Sequence, residues 1–137
     1  MSEPSDIVGG LLVRNGRLLL GRRSPDKRLC PNAWDLLGGH VETGETEQEA
    51  LVRELQEEIG VRPTRFERLA AWRFPAGARF SVYLVHAWSG GEPAICNPEH
   101  TALGWFTVEA ACALTDLAAP EYRALFQFVS ERFANEA

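Results

Sequence analysis

The stretch that decides the fold runs from Gly39 to Val61 and reads GHVETGETEQEALVRELQEEIGV. Its second part, Thr46–Ile59, is rich in Glu, Gln, Ala, Leu and Arg, which lose little side-chain freedom in a helix. Acidic residues crowd the first turn, where they suit the positive end of the helix dipole. Gly60 supplies the stop. At about 100° per residue, Glu54, Glu57 and Glu58 fall within one arc, because they stand at i, i+3 and i+4. Leu51, Val52, Leu55 and Ile59 occupy the neighbouring arc. One face is therefore expected to pack on a core while the adjoining face gathers three carboxylates. Like charges at that spacing repel, and the repulsion grows if the ridge borders a cleft. The helix alone leaves two readings open. One is a solvated acidic face. The other is a site for a hard cation such as Mg²⁺ or Mn²⁺, which prefers carboxylate oxygens and usually works together with substrate phosphates.

Outward from the helix, the chain alternates strands and helices. On its N-terminal side, Ile7–Val13 and Arg17–Arg22 are apolar runs around Asn15-Gly16, a two-residue hairpin signal. Ser24–Asn32 is a polar loop punctuated by Pro25 and Pro31. Trp34–Leu37 reads as a short buried strand ended by Gly38-Gly39, and His40–Gly44 as a loop. On the C-terminal side, Phe66–Phe74 and Phe80–Trp88 are strand-like, Ser89–His100 is a loop, and Leu103–Thr107 is a last strand. Val108–Leu114 and Pro120–Phe133 read as helices, the second with an apolar stripe of Leu125, Phe128, Val129 and Phe133. This order fits an α/β fold, an α/β/α sandwich around a mixed β-sheet, and not a regular βαβ winding.

Composition narrows the function classes. The chain has 137 residues, 45% of them hydrophobic and 24% charged, which suits one globular domain over 1–137 with residues 1–5 frayed. The net charge of −5 argues against a nucleic-acid partner, since bulk phosphate binding calls for a basic surface. Residues 42–58 hold seven glutamates (Glu42, Glu45, Glu47, Glu49, Glu54, Glu57, Glu58) and a single basic residue, Arg53, a block that needs water, counter-charge or metal. Cys30, Cys96 and Cys112 form no CxxC pair. Neither a disulfide framework nor a zinc site is expected, and a reducing cytoplasm is the natural compartment. The first residues carry no signal-peptide pattern, and no apolar run approaches the ~18 residues of a membrane span.

The quoted stretch resembles the Nudix box, G-x5-E-x7-R-E-U-x-E-E-x-G-U with U aliphatic. Every fixed position is matched, by Gly39, Glu45, Arg53, Glu54, Leu55, Glu57, Glu58, Gly60 and Val61. At average residue frequencies a chance match has odds on the order of one in 10⁷–10⁸. The flanking strands follow the Nudix order, so the resemblance extends over nearly the whole chain. It implies hydrolysis of a nucleoside diphosphate linked to another moiety X, with Mg²⁺ or Mn²⁺ as cofactor. Such ions would bridge carboxylate and phosphate oxygens that otherwise repel. Carried over by position, Glu54, Glu57 and Glu58 are metal ligands, with the Gly38 carbonyl and Glu99, from the NPEH segment, as further ones. Glu54 is the favoured base for the attacking water, and Arg53 with Glu45 orients loop and ridge through a salt bridge. Gly38 and Gly39 let backbone approach metal or phosphate. Where the family often has Pro before the two glycines, this chain has Leu37, a change that alters loop stiffness more than chemistry.

On the substrate side, Arg22, Arg23, Lys27 and Arg28 precede the glutamate-bearing region and suit phosphate binding. Trp34, Trp72, Phe74, Phe80 and Tyr83 are aromatics that could stack a base, though core packing is the commoner use. His40 and His86 are weaker acid–base candidates. The identity of X is open: a nucleoside triphosphate, ordinary or oxidised, or a simple nucleotide conjugate suits the small size, and the protein is expected to act as a monomer or homodimer on a small-molecule nucleotide. Two other functions compete. A nucleotide sensor of the same fold would be expected to lose catalytic glutamates. RRSPDKRLCPNAWD followed by GGH is also similar to isopentenyl diphosphate isomerases, but their catalytic Cys would fall at Gly38 or Leu37.

Overall fold

The computed structural model describes residues 5–136, with side chains through Arg132. Of the segment expected to fray, residues 1–4 lie outside the described residues, as does the Phe133 side chain. The strands are β1 (Ile7–Arg14), β2 (Arg17–Arg23), β3 (Trp34–Asp35), β4 (Leu37–His40), β5 (Arg62–Arg73), β6 (Arg79–Ser89) and β7 (His100–Thr107). The helices are α1 (Glu47–Ile59), α2 (Val108–Ala113) and α3 (Tyr122–Glu136).

β1 is the hub of the sheet. It runs parallel to β6 over Ile7–Leu12 and antiparallel to β4 over Ile7–Gly10. Its last two residues turn antiparallel to β2 through Asn15 (φ 53°) and Gly16 (φ 73°), the left-handed pair expected of a tight hairpin. β5 lies outside β6, and β7 pairs along the whole of β2. Parallel and antiparallel pairs thus coexist, as expected of a mixed sheet.

The strands around β1 are apolar without a gap because both faces of the sheet are covered. Alternate residues go to opposite layers. Val8, Leu12, Leu19, Tyr83 and Val85 pack under Leu51, Leu55 and Ile59 of α1. Leu11, Val13, Leu18, Leu20, Val82 and Leu84 pack under Tyr122, Leu125, Phe126 and Val129 of α3. The result is the α/β/α sandwich. Among the described residues, no helix is long and apolar enough to cross a membrane.

Four readings are corrected. Trp34–Leu37 is not one strand ended by glycines: Leu36 separates β3 from β4, and Gly38 and Gly39 lie inside β4, opposite Gly9 and Val8. Loop 89–100 is shorter than expected because β6 runs to Ser89 and β7 begins at His100. Phe128 is 48% exposed, and Phe126 takes the buried place, because the stripe on α3 is Tyr122, Leu125, Phe126 and Val129, at i, i+3, i+4 and i+7. Val52 is only half-buried, whereas Glu58 goes in with Leu51, Leu55 and Ile59.

Candidate active site

Helix α1 is fixed at both ends by its own sequence. Thr46 caps it, its hydroxyl accepting from the Glu49 N–H at 3.1 Å while the Glu49 carboxylate accepts from the Thr46 N–H at 2.9 Å. Gly60 closes it in the left-handed conformation (φ 71°), its N–H donating to the Gln56 carbonyl. Glu47, in the first turn, accepts from the buried Tyr83 hydroxyl at 2.8 Å and from the Ser81 hydroxyl at 2.9 Å. Those two bonds anchor α1 to β6. Tyr83, a candidate for base stacking, is thus committed to the core beneath α1.

Arg53 ties the helix to the loop before it. Its guanidinium donates to both oxygens of Glu45, at 2.7 and 3.0 Å, and to the His40 carbonyl at 2.9 Å. Nη1 also donates to Glu54 at 3.0 Å and to Glu57 at 3.4 Å. The forked guanidinium suits this bidentate geometry. The hydrogen bond from Arg53 holds the Glu45 carboxyl below its ordinary range, helped by the Glu42 backbone N–H.

Beyond Arg53 a cleft of about 450 Å³ opens. Gly38, Gly39, Glu54, Glu58 and Glu99 line it together with Arg23, Lys27 and His40. Glu58 is the decisive group. Its side chain has 0% exposure, and neither carboxylate oxygen has a hydrogen-bond partner among the described residues. Burial pushes its carboxyl up to about 10, with the neighbouring Glu99 and Glu54 carboxylates adding to the shift. A buried carboxyl without partners must stay protonated or meet a cation. Glu54, half-buried, is also raised by burial, against the pull of Arg53. For Glu99, burial is outweighed by Glu58, Lys27 (3.6 Å away) and His100, which leave its carboxyl below the ordinary range.

The donor set is all oxygen, which fits Mg²⁺ or Mn²⁺ and not a thiophilic metal. As they stand, no three His, Cys, Asp or Glu side chains among the described residues surround one point where an ion could sit. The ion pairs explain it: Arg53 holds Glu54 and Glu57, and Lys27 holds Glu99.

The two glycines serve different ends. Gly38 has φ +154°, and a Cβ there would lie 2.0 Å from the Val8 carbonyl oxygen. A Cβ on Gly39 would instead meet Glu54 Oε1 at 2.6 Å. Gly38→Ala should therefore cost about 3 kcal/mol of stability through backbone strain and overlap. Gly39→Ala should leave the melting temperature nearly unchanged, displace Glu54 and lower turnover. Thermal melts beside initial rates check both. A silent Gly39→Ala would show that the position of Glu54 does not matter.

Other sequence candidates are scattered. Glu57 is exposed and lies outside the cleft lining, on the outer side of α1. Arg22 turns away, donating to the Asn32 carbonyl at 3.1 Å and lying over Trp34. Arg28 is exposed and off the lining. Phe74 and Phe80 line the cleft, Trp72 stacks behind Phe80 at 5.0 Å, and Trp34 packs edge-on against Phe106. His86 is paired with Glu67, outside the cleft. The sequence reading missed His100, Asp35 and Tyr122, all of which line the cleft. His100 is buried, with Nδ1 3.9 Å from Glu58, and burial lowers its pKa. Its place directly after Glu99 is the signal that was available.

Comparison with known proteins gives the family. The NUDIX domain model matches residues 4–128. The chain is 33% identical over 108 residues to the CTP pyrophosphohydrolase of Escherichia coli K12, covering 77% of this chain and 78% of that one. It is 30% identical over 116 residues to the nucleoside triphosphatase NudI of Enterobacter sp. 638, covering 76% and 82%. Among solved structures, a MutT NUDIX hydrolase from Burkholderia pseudomallei superposes with a TM-score of 0.78 at 32% identity, over 93% of this chain and 99% of that one. A domain model that matches nearly the whole fold, on a chain that lacks none of the fixed residues of the box, leaves one assignment: this protein belongs to the Nudix family as a MutT-like hydrolase acting on acid anhydrides.

Proposed function

We propose that this hydrolase cleaves a nucleoside triphosphate, ordinary or oxidised, or a simple nucleotide conjugate, with Mg²⁺ or Mn²⁺ held by Glu54, Glu58, Glu99 and the Gly38 carbonyl, and by Glu57 once it leaves Arg53. The observation that carries this reading is Glu58: a fully buried carboxylate without partners, beside two more carboxylates and a glycine-lined backbone. Two relatives bear names for nucleoside triphosphate substrates, which favours that class. The free thiols of Cys30 and Cys96, both exposed, suit a reducing cytoplasm. A small-molecule nucleotide, not a nucleic acid, is the proposed partner of a monomer or homodimer.

A divalent cation bound there supplies charge neutralisation at the phosphates and a lowered pKa for water. The protein does the rest. Glu54 accepts a proton from the attacking water as its oxygen bonds to phosphorus. The bridging P–O bond breaks, and the leaving phosphate departs with that electron pair. Arg53 keeps Glu54 and Glu45 oriented, and Gly39 leaves room for the Glu54 carboxylate. Arg23 and Lys27, the one arginine and one lysine of the lining, face the phosphate chain. Glu57, now bonded to Arg53, would serve as a further ligand of the cation after releasing that bond.

The test is a panel of nucleoside triphosphates, oxidised nucleotides, nucleotide sugars and dinucleotides, incubated with and without Mg²⁺ or Mn²⁺, with products identified. Release of a nucleoside monophosphate only with metal supports the reading. Tight binding of a nucleotide without turnover would instead make the protein a sensor. In the same assay Glu57→Gln should lower turnover roughly 10²-fold or more while leaving the melting temperature similar or higher, since repulsion along the ridge is relieved. Unchanged rates would remove Glu57 from the metal site.

A further inference from the structure

The same cleft contains a polar junction that the hydrolytic steps above touch only through Arg23. Asp35, at the end of β3, has a side chain only 15% exposed. Its Oδ1 accepts from the Tyr122 hydroxyl at 2.6 Å and from the Leu36 N–H at 2.8 Å. Its Oδ2 accepts from Arg23 Nη1 at 2.9 Å. Arg23 Nε donates to the Leu29 carbonyl at 3.0 Å, while Nη2 has no partner among the described residues. Tyr122 is itself buried at the start of α3. The same corner is braced by backbone bonds, Trp34 N–H to the Asp116 carbonyl and Ala118 N–H to the Trp34 carbonyl, both at 2.8 Å.

The charge balance shows what this junction is for. The lining carries the carboxylates of Asp35, Glu42, Glu54, Glu58 and Glu99 against the cations of Arg23 and Lys27, and Lys27 is paired with Glu99. An incoming polyphosphate therefore finds one fixed cation with an unused pair of N–H donors, Arg23. A guanidinium on a free side chain would be drawn toward the glutamates. Here three elements (β2, β3 and α3) hold its direction, so little rotamer entropy remains to be lost when an anion binds.

We propose that Asp35, clamped by Tyr122, is a positioning residue that presents Arg23 Nη2 to the phosphate chain of the nucleotide. Tyr122 thereby becomes a determinant of substrate affinity although it need not touch the substrate. This rests on the reading of Arg23 as a phosphate contact, and makes the C-terminal helix part of the substrate site.

The experiment compares Tyr122→Phe, Asp35→Asn, Arg23→Ala and the Asp35→Asn/Arg23→Ala double variant with the parent protein. Steady-state rates are read on the best nucleotide of the panel, and the Kd of an α,β-methylene nucleoside triphosphate is read by calorimetry. Loss of one well-placed charge-assisted hydrogen bond should raise KM and Kd about 10-fold in Tyr122→Phe and Asp35→Asn. The kcat should stay within about twofold, and the Mg²⁺ concentration for half-activation should not move. The double variant should bind no more weakly than Arg23→Ala, because both changes remove one contact. Unchanged KM and Kd in Tyr122→Phe and Asp35→Asn, or additive losses in the double variant, would overturn the proposal. A purely structural role would lower the melting temperature without moving Kd, and also overturns it. The calorimetric arm needs no turnover. A parent protein that binds the analogue but hydrolyses no nucleotide would sink the hydrolytic reading while still deciding this one.

Discussion

Glu58→Gln should abolish metal-supported turnover and, in the absence of metal, make the protein more stable at pH 7. Both effects have one cause. The Glu58 carboxyl is raised to about 10 in the folded protein from an ordinary value of 4.5, because it is buried beside Glu99 and Glu54. The folded state therefore holds a proton that the unfolded state has released above pH 4.5. Its contribution to stability is fully present below pH 4.5 and is lost progressively as pH rises toward 10. At pH 7 the loss amounts to about 3 kcal/mol, at 1.36 kcal/mol per unit. Glutamine is neutral at every pH and nearly isosteric, so the variant escapes this loss. Melting curves in a chelator, from pH 4 to pH 9, should converge at the acid end and diverge progressively above the ordinary carboxyl pKa of 4.5, with the variant higher. Adding Mg²⁺ or Mn²⁺ should raise the melting temperature of the parent protein and leave the variant where it was, since the ion binds the folded state through this carboxylate. Turnover should fall roughly 10³-fold or more, because several kcal/mol of charge stabilisation disappear with the ligand. Curves that stay parallel across the pH range, or a variant that still gains stability from metal, would show that Glu58 is neither strained nor a ligand.

Arg53→Ala should be the most damaging change away from the metal ligands. Its guanidinium holds four groups: Glu45 through two bonds, the His40 carbonyl, Glu54 and Glu57. Removal leaves partly buried carboxylates without their counter-charge, which should cost about 2 kcal/mol, less than for a fully buried pair because Arg53 is partly exposed. Turnover should fall about 10²-fold, as Glu54 is displaced from the cleft. The pH dependence separates the electrostatic effect from simple loosening. Burial already raises the Glu54 carboxyl, and Arg53 restrains that rise. Without Arg53 it should rise further, so the acid limb of the rate profile should shift to higher pH, since Glu54 must be ionised to accept a proton. Arg53→Lys keeps a charge but not the fork. It should recover part of the shift and little of the rate. An acid limb that stays in place in both variants would show that Glu54 is not the group that limits the reaction at low pH.

The nine fixed residues of the box, the stop of α1 at Gly60 and the Asn15-Gly16 hairpin were read from the chain because each is a local rule, obeyed within a few residues, whereas Thr46, read as the first helical residue, is the N-cap. The order of strands and helices likewise pointed to a sandwich around a mixed sheet. The helical spacing put Glu54, Glu57 and Glu58 on one ridge, but spacing cannot say how far a ridge is turned toward the core. Packing of α1 across β1 and β6 decided that. It buried Glu58 without a partner, left Glu54 half-buried against Gly39, and kept Glu57 in solvent on Arg53. Arg22 and Arg23, neighbours in sequence, were parted by the alternation of a strand, which turned Arg22 onto Trp34 and Arg23 into the cleft. Asp35 and Tyr122, 87 positions apart, meet only because α3 packs on the sheet with its first residue against the end of β3. The chain by itself determined the chemistry it can carry, since residue type and local spacing fix donors and charges. Which of those groups share one cavity, and which are stripped of water, was decided by the tertiary structure, because burial depends on contacts between segments that the local sequence does not encode.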